Sequence, residues 1–109
     1  MKKALYLVLK STDNAFHTLE EIKKEGFNGT VVSTESLRTA VEYFPEEHHF
    51  FNLRHLEKKE MLESVLCLFV VEEERVNHIK DVIRKITNNF SDVKGFMFSQ
   101  NIEDYEGSI

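Results

Sequence analysis

The sequence predicts an α+β fold of one four-stranded sheet with two helices, in the order strand, helix, strand, insertion, strand, helix, strand. Three observations carry this. Two short runs, Ala4–Leu9 and Ser64–Val71, are apolar without alternation, as strands buried on both faces are. Two longer segments repeat their apolar residues at helical spacing. Glycines stand where these elements must end or begin. That order is the split βαβ plan of the ferredoxin-like fold, a βαββαβ chain whose first and third strands lie in the middle of the sheet. The two doubly apolar runs occupy those two positions.

Taken in order, "ALYLVL" is the first strand. In "STDNAFHTLEEIKKEGFNG", Ser11, Thr12 or Asp13 can cap a helix by accepting from its free first-turn amides. Phe16, Leu19 and Ile22 form its expected apolar stripe, and Gly26 is its expected stop. "GTVVST" from Gly29 is a shorter strand whose hydroxyl residues suit a sheet edge. An insertion over 35–62 precedes the third strand. "EEERVNHIKDVIRKITNNF" is the second helix. Glu72–Glu74 face the positive end of its dipole. Val76, Ile79, Val82, Ile83, Ile86 and Phe90 line one side, and Asn88 and Asn89 close it. Gly95 opens the last strand, "GFMFSQ", before an acidic tail.

The 109 residues predict a single domain, 1–109, large enough for one core. Net charge is −5, which argues against a basic nucleic-acid or anionic-membrane footprint. The lone Cys67 permits no internal disulfide. The start "MKKALYLVLK" resembles a signal peptide, but its apolar run is too short and no cleavage site follows. No run is long enough to span a membrane. A cytoplasmic protein is expected.

Two helices cover one face of a four-stranded sheet. The central strands nevertheless offer apolar residues to both faces: Ala4, Tyr6 and Val8 against Leu5, Leu7 and Leu9, then Val65, Cys67, Phe69 and Val71 against Leu66, Leu68 and Val70. A second apolar face in water is a large patch. Burial against other subunits is the expectation, and an insertion folded back over it is the alternative.

Candidate chemistry is sparse. Ser33, Thr34 and Ser36, with Arg38 just beyond, suit a phosphate or carboxylate. The structural explanation is that one hydroxyl caps a following helix with Arg38 in solvent. Lys94 and Gly95 form a second anion-friendly point. "YFPEEHHFFNLRHL" gathers His48, His49 and His55. Their spacing fits no single helical face, and no CxxC or HExxH accompanies them, so metal binding is the minority expectation. His17 and His78 fall off the apolar stripes. No nucleophile or kinase signature occurs. Cys67 reads as packing, and the acidic clusters as solvated faces.

"LEEIKKEGFNGTVVSTESL", "VVEEERVNHIKDVIRKI" and "DVKGFMFSQNIE" resemble segments of PII-like signal-transduction proteins. The resemblance covers most of the chain outside the insertion. It implies a non-enzymatic homotrimer binding a small effector, often an adenine nucleotide, in clefts between subunits. Ser33, Thr34, Ser36 and Arg38 would stand at the root of a loop, with Lys94 and Gly95 opposite on a neighbour. The insertion 35–62 would be the loop that meets a target protein. A divalent-metal-binding trimer and a small enzyme on the same scaffold are the alternatives.

Overall fold

A computed structural model describes residues 1–10, 12–34, 37, 41 and 64–108. The elements are β1 (Lys2–Lys10), α1 (Asp13–Lys24), β2 (Gly29–Thr34), β3 (Ser64–Glu72), α2 (Val76–Thr87) and β4 (Gly95–Asn101), with a 3-10 turn over Glu73–Arg75. The strands form one sheet in the order β2-β3-β1-β4. Every pairing is antiparallel. The two doubly apolar strands are the central ones, and the hydroxyl-rich β2 lies at an edge.

Register assigns each side chain to a face. Leu5, Leu7 and Leu9 oppose Phe69, Cys67 and Val65 on one side of the sheet. These six are buried together with Ala15, Ile22, Ile79 and Ile83 from the helices. The opposite face carries Tyr6 and Val8 beside Leu68 and Leu66, with Phe98 and Phe96 from β4 next to them. No described helix covers it. Phe96 is 56% exposed and Phe98 48%.

The helix ends follow from local chemistry. The Thr12 hydroxyl accepts from the Ala15 N–H at 3.1 Å, and so caps α1. Beyond its other end, Gly26 takes φ +93. The Gly26 and Phe27 amides return to the carbonyls of Lys23 and Ile22, a Schellman closure. The closure sets Phe27 into the core beside Ile22.

Two expectations change. The buried residues of α1 are Ala15, Thr18 and Ile22. Leu19 is half-buried, and Phe16 is 51% exposed. The helix is turned so that its small residues meet the sheet, which displaces bulky Phe16 to the flank beside β2. The second helix also starts later than Glu72–Glu74 suggests. Glu72 ends β3, and the Glu73 N–H donates to the Met1 carbonyl at 2.9 Å, which holds the chain against the start of β1.

Thr18 and Thr87 are fully buried polar residues on the helices. Each hydroxyl donates to the carbonyl four residues earlier, Asn14 at 2.8 Å and Ile83 at 2.7 Å, so neither enters the core unpaired.

Candidate functional site

Of the six residues expected to bind an anion, four are described. Ser33 and Thr34 end β2; Lys94 and Gly95 begin β4 and its approach. Ser33 pairs with Val65, Val65 with Leu9, and Leu9 with Gly95. All four therefore lie at one end of the sheet, on opposite edges. Three inter-strand spacings separate them, roughly 14 Å. One chain does not bring them together around a small anion. Ser36 and Arg38 lie outside the described residues, as do His48, His49, His55 and the rest of the 35–62 insertion.

Local packing accounts for part of this set. The Thr34 hydroxyl lies 2.5 Å from the Ser64 hydroxyl and also reaches the Ser64 carbonyl at 3.2 Å, which ties β2 to β3 at their last pair. At Gly95 a Cβ would meet the Val8 carbonyl oxygen at 2.0 Å, so β1 and β4 approach there as only glycine permits. Ser33 and Lys94 are exposed. The Lys94 carbonyl accepts from the Lys10 N–H at 2.8 Å.

The turn leading to Lys94 is internally satisfied. Asn88, Asn89 and Phe90 all have positive φ, from 53 to 64. The Asn89 N–H donates to the Arg84 carbonyl, Phe90 to the Thr87 hydroxyl, Ser91 to the Asn88 carbonyl and Asp92 to the Thr87 carbonyl. Those four amides are spent within the turn and offer nothing to an anion.

Among the described residues, open grooves lie on the helix-bearing side. One of about 320 Å³ runs between α1 and β2, past Phe16, Leu19, Phe27 and Val31, with Cys67 and Phe69 among its lining residues. Burial pushes the Cys67 thiol up to about 11, so it stays protonated and a poor nucleophile near neutrality. A second groove, about 550 Å³, separates α1 from α2 and exposes His17, Glu21, Glu25, His78, Asp81 and Lys85. Among the described residues no group of three His, Cys, Asp or Glu side chains could hold a metal ion. The third groove borders the 91–93 turn at Asn14 and His17.

Sequence reasoning missed an aromatic–cation cluster where α1 ends and α2 begins. The Arg75 guanidinium sits 4.3 Å over the Phe27 ring, and the His78 ring is 5.5 Å from it on centroids. His78 Nε2 stands 3.9 Å from a Glu25 carboxylate oxygen, too far for a hydrogen bond. Phe27 lies outside both helices, so no periodicity pointed to it.

No protein-family model matches the sequence. No curated protein matches it. Among solved structures, the chain is similar to a functionally unknown protein from Pediococcus pentosaceus ATCC 25745. The two are 11% identical with a TM-score of 0.62, over 98% of this chain and 97% of that one. At that identity the likeness shows the fold alone, a small α+β arrangement. No helix among the described residues is long and apolar enough to cross a membrane.

Proposed function

We propose that this chain is a PII-like regulatory protein on a ferredoxin-like scaffold: a cytoplasmic, non-enzymatic homotrimer that binds a small effector between its subunits. The observation that carries this is the open apolar face of the sheet. Four strands about 4.8 Å apart, and about seven residues long at some 3.3 Å each, project a face of roughly 400 Å². Tyr6, Val8, Val32, Leu66, Leu68 and Phe98 lie on it. The apolar middle of that face, exposed at Val32, Phe96 and Phe98, is the kind of surface that association covers. Association of copies through it is how a sheet with apolar residues on both sides leaves water.

The strand order and antiparallel pairing support the ferredoxin-like plan. The two edges support an inter-subunit site. Ser33 and Thr34 stand at one edge and Lys94 at the other, so a ligand using both draws on two copies. Such a site would join Ser33, Thr34, Ser36 and Arg38 of one copy to Lys94 and Gly95 of the next. Hydroxyls and cations in that combination suit an anionic effector such as an adenine nucleotide. The 35–62 insertion, at the root of the same site, is the segment proposed to meet a target protein.

Native mass spectrometry of the purified protein tests this directly. A trimer carrying a small extra mass is expected, and that mass weighs the effector. A monomer at micromolar concentration would overturn the inter-subunit site.

A further inference from the structure

We infer that Asn28 is a site of spontaneous covalent modification, converting through a succinimide to aspartate and isoaspartate. This inference is independent of the proposed function. Asn28–Gly29 is the chain's one Asn-Gly pair. Asn28 follows α1 and Gly29 opens β2, and both residues are exposed. The Gly29 amide donates to Asn28 Oδ1 at 3.0 Å, which brings the backbone nitrogen beside the side-chain carboxamide. Glycine leaves that approach unhindered by a side chain of its own.

The chemistry balances without a cofactor. Solvent base removes the Gly29 amide proton, and the nitrogen attacks Asn28 Cγ. The N–Cγ bond forms, the Cγ–Nδ2 bond breaks, and ammonia leaves with a proton. Water then opens the ring at either carbonyl. One opening gives aspartate, and the other gives isoaspartate with an extra methylene in the backbone.

Both products bear on β2. Each adds a negative charge at the rim of the α1–β2 groove, which Asn28 and Gly29 help to line beside Lys23. The isoaspartyl form also lengthens the chain where β2 begins. Room is scarce there, because a Cβ on Gly29 would already lie 2.6 Å from the Leu68 carbonyl oxygen. The modified strand must therefore shift at its root, on the same strand that carries Ser33 and Thr34.

The test is to incubate the full-length folded protein at mildly alkaline pH and map its peptides by mass over time. Asn28 should exchange its amide for an acid several-fold faster than Asn14, Asn77, Asn88, Asn89 or Asn101. An acidic species should grow in step on ion exchange, and Asn28→Gln should abolish it. The same incubation in denaturant is the control. Conversion in the folded protein at least as fast as in the unfolded chain supports the inference. Retention of the Asn28 amide, or a folded rate well below the denatured rate, overturns it, since the fold would then protect the site.

Discussion

The two faces of the sheet are built from the same kinds of residue and meet different fates. On one, Leu5, Leu7, Leu9, Cys67 and Phe69 are buried beneath α1 and α2. On the other, Tyr6 stacks on Phe98 at 4.7 Å between ring centroids, and Phe98 on Phe96 at 6.4 Å, with no described element above them. Composition alone does not separate the faces. The helices decide which face becomes the core of a single chain, and the remaining face is available for association.

The largest effect should come from the buried face. Leu7→Ala removes a fully buried side chain and should cost about 2–5 kcal/mol, read by urea unfolding. On the open face, Phe98→Asp should leave the far-UV spectrum of the chain intact while light scattering shows the proposed trimer falling to monomer. Equal losses of stability from both variants, with no change in assembly, would erase the distinction between the faces.

Thr87→Val sharpens the comparison inside the core. The hydroxyl it removes is the acceptor for the Phe90 N–H at 3.1 Å. Leaving that partly buried amide unpaired should cost about 1–3 kcal/mol. Thr18→Val, where the hydroxyl donates to a helix carbonyl, should cost less. Cys67 offers a chemical check on closure of the buried face. Its thiol, raised by burial, should resist a thiol reagent at pH 8 in the folded protein and react promptly in denaturant.

The smallest effect belongs to the exposed Lys2–Glu72 pair, 2.6 Å apart. The Lys2 ammonium holds the Glu72 carboxyl below its ordinary value, and Glu72 raises Lys2. The depressed glutamate contributes stability present above its unfolded pKa and lost as pH falls through its folded one. The raised lysine contributes stability present below its unfolded pKa and lost as pH rises through its folded one. Glu72→Gln should therefore flatten a shallow acid-side decline in melting temperature, and added salt should mask the difference.

The sequence carried the element order and the two-faced character of β1 and β3, because continuous apolar runs report burial directly. It misjudged the rotation of α1. Phe16 looked like core by periodicity, but small Ala15 and Thr18 allow closer approach to the sheet. Ser33, Thr34, Lys94 and Gly95 were visible as types but not as a geometry. Pairing across β3 and β1 places them on opposite edges, and no local pattern records that distance. The importance of Gly95 to the β1–β4 approach was likewise hidden, since it depends on a carbonyl of Val8, far away in the chain.

The pairing of Thr34 with Ser64 has a consequence for how the chain can diversify. The two residues that bracket the 35–63 segment are neighbours, tied through their hydroxyls. For a flexible connection with both ends already fixed, doubling its length adds only about 0.6 kcal/mol of closure entropy. The Thr34–Ser64 pair is thus a socket. A flexible segment of another length could be spliced between these two positions at little added closure cost while the Thr34–Ser64 pair stays in place.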